Sequence, residues 1–168
     1  MTWRSSLFPS DNAEWTYTET VTAKYYARSI VINRGLGLYA GIGGECYDCY
    51  PDVVRIVQNL NNVLAGAQPA NGSPMQIRGE AAASIHAYWF SRSNGDYLVA
   101  LWTNGIAVDN DPGIPTVLTF PGFSAQRVTG TDILYSIEQK MVTEDENGNL
   151  VIRGLLVRDY PLILRITP

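Results

Sequence analysis

Cys46-Tyr47-Asp48-Cys49 stands just ahead of Pro51. A C-x-x-C pair at the start of a helix is an arrangement that lowers a thiol's pKa for redox work. That chemistry needs βαβ packing around the pair, and the chain beyond it turns to β-structure instead. A structural zinc would need about four ligands, and only His86 offers a further soft donor, on a distant strand. Cys46 and Cys49 therefore read as two thiols in a loop. His86 is the single histidine. A Ser-His-Asp triad would have to use it, and no serine stands on a G-x-S-x-G elbow. Its alternation with Tyr88 and Phe90 suits a packed or rim position.

Gly35 to Gly44 is glycine-rich, but it follows a helix and enters a strand. A phosphate-cradling loop runs the other way, and no Lys-Ser/Thr pair follows. Asp109-Asn-Asp-Pro-Gly113 and Glu144-Asp-Glu-Asn-Gly-Asn149 resemble acidic metal loops. Neither carries the terminal bidentate Glu of a calcium loop, so solvated turns are expected. These residues lead us to expect no catalytic group, no metal and no cofactor. The aromatics Tyr88, Trp89, Phe90, Tyr97 and Trp102 gather on one hairpin. They suit either a core or a flat surface that stacks on sugar rings.

The 168 residues are 46% hydrophobic and 17% charged, with a formal net charge of −4. Such a chain has the apolar material for a folded core, burying roughly 70% of its unfolded surface. The acidic balance and the scattered Lys24, Arg28, Arg34 and Arg55 argue against a nucleic-acid surface. No run approaches the roughly 18 apolar residues that span a bilayer. The first ten residues show neither the apolar run nor the cleavage site of a secretory signal. No membrane or nucleic-acid partner is expected, and the compartment is left open.

Two periodicities position these groups. From Asp11 to Gly66 the pattern is helical. Thr16 and Glu19 have the spacing of a capping box, and Val21, Tyr25, Arg28 and Ile32 recur at three- and four-residue steps. This predicts a helix over 18–33, stopped by Gly35. A buried strand over Leu36–Ile42 follows. Pro51 opens a second helix with Val53, Ile56, Val57, Leu60, Val63 and Leu64 on its apolar face, ended by Gly66. After Ser84 the period becomes two. Strands over 85–90 and 97–102 flank Asn94-Gly95, a pair suited to tight turns. Further strands are expected at 116–120, 125–129, 137–143, 150–152 and 162–166, with a turn at Asn147-Gly148. The fold class is thus α+β, mainly β: two N-terminal helices with a short strand (1–75) packed on a C-terminal antiparallel β-sandwich (76–168).

Glu19-Thr-Val-Thr-Ala-Lys-Tyr-Tyr-Ala-Arg28, continuing to Asn33 and Gly35-Leu-Gly37, resembles the seventh helix and eighth strand of (β/α)8-barrel glycoside hydrolases. Residues 51–69 are similar to the last barrel helix. Tyr88-Trp-Phe90, Gly95–Trp102, Val128-Thr-Gly-Thr-Asp132 and Asp159-Tyr-Pro-Leu-Ile-Leu-Arg165 resemble the antiparallel domain that often follows such a barrel. The resemblance implies a carbohydrate-processing context. It also implies that both catalytic carboxylates are lacking. The acid/base strand has no equivalent, and Trp3-Arg-Ser-Ser-Leu-Phe-Pro-Ser10 carries no Glu at the nucleophile position. Retaining hydrolysis needs two carboxylates about 5–5.5 Å apart, so the chain is not expected to be active alone. Three readings follow: a non-catalytic accessory module or fragment whose partner is a missing catalytic barrel; a free-standing carbohydrate-binding module using Trp89 and Trp102; and a homo-oligomer completing the orphan strand. If a sugar binds near the barrel remnant, Glu45, Tyr47 and Asp48 are the candidates, because barrel enzymes hold substrates on the loops after their strands.

Overall fold

The computed structural model describes residues 17–39, 50–72, 74–80 and 82–168. Among the described residues it holds two α-helices and ten strands in two antiparallel sheets, with 24% helix and 38% strand. The fold is α+β, mainly β.

Helix α1 (Glu19–Gly35) begins at Thr18, whose hydroxyl accepts from the Val21 N–H at 3.2 Å. The expected capping box is not what the helix uses. Thr16 lies outside the described residues, and the Glu19 carboxylate instead accepts from the Asp52 N–H at 2.7 Å. It thereby caps helix α2 (Pro51–Val63), whose N-cap residue Tyr50 gives no side-chain capping bond. Helix α1 also runs through Gly35. Gly37, at φ +74°, is the left-handed stop, and Gly37 N–H to Arg34 O and Leu38 N–H to Asn33 O close the end. This closure uses up residues expected in a strand. Residues 36–39 form a turn and irregular chain with Leu36, Leu38 and Tyr39 exposed, and 40–42 lie outside the described residues.

The strands are β1 (Gln68–Pro69), β2 (Gln76–Arg78), β3 (Ile85–Ser91), β4 (Tyr97–Thr103), β5 (Ile114–Phe120), β6 (Arg127–Asp132), β7 (Ile137–Lys140), β8 (Glu144–Asp145), β9 (Leu150–Val157) and β10 (Leu162–Thr167). One sheet has the order β1-β3-β4-β10-β6-β7 and the other β2-β5-β9-β8. The chain crosses between sheets after β1, β2, β4, β5, β7 and β9, as in a sandwich. Strand β9 is longer than its alternation suggests, because a bulge interrupts the pattern. Its pairing with β5 shifts between Thr116 and Leu118, and Gly154 there takes φ +66°.

Three layers result. Leu118, Phe120, Ile152 and Val157 of the smaller sheet meet Val99, Leu101, Leu164 and Ile166 of the larger one in an apolar core. The opposite face of the larger sheet presents Phe90, Leu98, Ala100, Trp102 and Ile163 to Ala27, Val31, Ile56 and Leu60 of the two helices. Strand β4 is thus covered on both sides, which explains its unbroken apolar run Tyr-Leu-Val-Ala-Leu-Trp. Close approach of the layers requires Gly35, since a Cβ there would overlap the Tyr88 ring. Among the described residues no helix is long and apolar enough to cross a membrane.

Candidate functional site

The hairpin aromatics divide between the two faces of β3 and β4. Trp102 is 2% exposed and stacks on Tyr88, ring centroids 5.5 Å apart and planes within 4°. His86 covers it at 5.5 Å and is itself exposed. Trp89 turns to the other face and meets Phe120 and Tyr97 edge-on, at 5.9 and 6.3 Å. Trp102 therefore leaves no open ring face for a sugar, and Trp89 is engaged in the sandwich core. Glu45, Tyr47 and Asp48, with Cys46 and Cys49, lie outside the described residues.

The densest polar chemistry is instead at the seam between α1 and the sandwich. Two crossovers meet there: the loop 104–113, from β4 to β5, and the turn 158–161, from β9 to β10. They are tied at 2.8 Å by the Thr103 N–H to Arg158 O bond. Lys24 and Arg28 sit one turn apart on α1 and so share a face. The Lys24 ammonium, 1% exposed, pairs with the Asp159 carboxylate at 2.8 Å, donates to Val108 O and stands 5.1 Å over the Tyr160 ring. Arg28 donates through Nε to Asp159 O at 2.6 Å and through Nη1 to Gly105 O at 2.7 Å. Burial pushes its guanidinium below the ordinary value, against the pull of Asp159, Tyr25 and Asp111. Asp159 also accepts from Val108 N–H at 2.7 Å, and its own N–H donates to Asp111 at 2.5 Å. Tyr25 Oη accepts from Ala107 N–H at 3.1 Å.

Tyr160 extends this network to the edge of the sandwich. Its hydroxyl donates to Asp132 at 2.7 Å and accepts from Arg158 at 2.9 Å. Burial, then the bond to Asp132, raises the phenol's pKa far above its ordinary range, so it remains a proton donor. The other oxygen of Asp132 accepts from the N–H groups of Leu134 and Tyr135 at 3.0 and 3.3 Å. Asp132, Tyr160 and Arg158 line a groove of about 370 Å³ together with Met141, Leu155 and Leu162.

The carboxylates of the acidic loops are committed to protein partners. Asp109 accepts from the Thr18 hydroxyl, and Asp111 from Gly113 N–H and Asp159 N–H. Glu144 and Glu146 hold Arg153, and Asp145 accepts from Gly148 N–H. Among the described residues no group of three or more His, Cys, Asp or Glu side chains could hold a metal ion.

Reasoning from sequence missed this network as a unit. Lys24, Arg28, Asp132, Asp159 and Tyr160 all stand inside the segments that carry the glycoside hydrolase resemblance, yet local periodicity cannot pair residues on α1 with a turn near the C-terminus. The available signal was the pair of charges, Lys24 and Arg28, on a helix face that should otherwise be apolar. A scan against protein-family models gave no match, and a search of curated proteins gave none.

Proposed function

We propose that this chain is a non-catalytic module related to the C-terminal part of glycoside hydrolases. In this reading the sandwich is a rigid carrier for two barrel-type helices, with an accessory role in carbohydrate processing. One observation supports it above the others: the residues of the resembling segments converge on the seam where the helix layer is held, and most of their polar groups bind one another and backbone, the buried Arg28 Nη2 alone of its guanidinium nitrogens making no hydrogen bond. Lys24, Arg28 and Asp159 bind protein atoms at short distances inside the molecule. Groups so committed suit a positioning role between layers better than a reaction.

The test is the DNA upstream of Met1 in its native context, combined with assays of the isolated chain on chromogenic glycosides. The reading expects an open frame encoding further βα units, with glutamates on barrel strands, and no hydrolysis by the 168-residue chain alone. A stop codon close upstream, or turnover by the isolated chain, would overturn it.

A further inference from the structure

The two sheets end in four edge strands, β1, β7, β2 and β8. Strand β7, Ile137-Glu-Gln-Lys140, is the longest of them and is exposed at every position. Its backbone phase follows from its pairing with β6. Met141 N–H donates to Val128 O at 2.9 Å, and the register continues through Gly130 with Gln139 and Asp132 with Ile137. Hydrogen-bonded and non-bonded pairs alternate along an antiparallel ladder. The N–H and C=O groups of Ile137, Gln139 and Met141 therefore point to β6, and those of Glu138 and Lys140 point to the open edge.

Those two residues also carry opposite charges on one face of the strand. We propose that β7 is the contact strand of a two-fold homodimer, pairing antiparallel with β7 of a second copy about Gln139. In an antiparallel pair, residues directly opposite share a face, so symmetric registers centre only on a residue. A centre on Glu138 or Lys140 sets like charges opposite each other, which is destabilising. A centre on Gln139 sets Glu138 opposite Lys140 twice, and the outward backbone groups of both residues meet as hydrogen-bonded pairs. The same register sets Ile137 opposite Met141, covering an Ile137 side chain that is 56% exposed. An edge with charge of a single sign repels its copy, as the Glu144-Asp145 edge β8 would. Strand β7 is self-complementary instead. The occupant is thus a second copy of this chain, and the inference stands apart from the carbohydrate reading.

Sedimentation equilibrium on four proteins tests it. The wild type is expected at twice the 18.5 kDa of one chain. Lys140→Glu and Glu138→Lys each make the edge single-signed and are expected at the monomer mass. An equimolar mixture of the two is expected to recover the dimer mass, as is the double swap Glu138→Lys/Lys140→Glu, which restores self-complementarity. All positions changed are exposed, and unchanged circular dichroism confirms that the fold is intact. A monomeric wild type would overturn the proposal, as would a dimer indifferent to the single reversals.

Discussion

The two faces of the larger sheet are held by different physics. Toward the smaller sheet, the contact is aliphatic and aromatic, with Val99, Leu101, Leu164 and Ile166 against Leu118, Phe120, Ile152 and Val157. Toward the helices, a comparable apolar patch is bordered by the buried ions Lys24, Arg28 and Asp159 and by the phenol of Tyr160. Apolar burial is non-directional and tolerates sliding, since it depends on area removed from water. A buried ion pair contributes less net stability for its desolvation cost but is satisfied in only one arrangement. The difference teaches that the sandwich is built for stability and the helix seam for position. The carrier role proposed above, presenting two helices in one orientation, would draw on that second property.

Breaking the seam should give the largest effect. Asp159→Ala leaves the Lys24 ammonium buried without its anion and frees the Val108 N–H. Loss of one partner of such a pair costs about 3–5 kcal/mol, to be read from urea denaturation. Lys24→Met/Asp159→Leu should lose less than Asp159→Ala, because no buried charge is stranded. On the other face, Leu118→Ala removes a fully buried side chain at a cost of about 2–5 kcal/mol. Its unfolding should stay a single transition by both circular dichroism and tryptophan fluorescence, since the sandwich underlies both layers.

Gly35→Ala sharpens the comparison at the apolar part of the seam. The added methyl meets the Tyr88 ring stacked on Trp102, and overpacking of this kind costs about 1–3 kcal/mol. The smallest effect is a pH dependence. The Tyr160 phenol has a raised pKa in the folded state, from burial first and then the Asp132 bond. The unfolded chain therefore loses this proton first as pH rises. The contribution is complete below the unfolded value of about 10 and is lost as pH climbs past it. Stability should fall in alkali, less steeply in Tyr160→Phe, when both are followed by thermal melts at stepped pH.

How much was legible beforehand follows the range of the interactions. Local signals held for Pro51 at the start of α2 and for the Asn147-Gly148 turn. Asn147 and Gly148 both take positive φ, as such a turn requires. A turn also joins β3 to β4 at Asn94-Gly95, but there only Gly95 takes positive φ. Strands β1 and β2 were hidden in a Pro- and Gly-rich stretch, because two or three edge residues carry no period. The hairpin aromatics were legible as a cluster but ambiguous in role. Alternation gives the face of a residue, and only the fold reveals that both faces of β4 are covered. The seam was the least legible part. Lys24 and Asp159 are paired by two crossovers and a helix packing together, an arrangement that no window of sequence contains. The proposed loop site at Glu45, Tyr47 and Asp48 falls outside the described residues and stays an expectation.

Native-state hydrogen exchange on wild type and Asp159→Ala tests most directly whether the seam seats the helices. In the wild type, amides of α1 and α2 should be protected to the same opening free energy as those of β5 and β9. In Asp159→Ala, the helix amides should drop to a lower opening free energy than the β5 and β9 amides, separating the two layers. Equal loss of protection in helices and strands would contradict the account, because the ion pair would then serve general stability and not the placement of the helix layer.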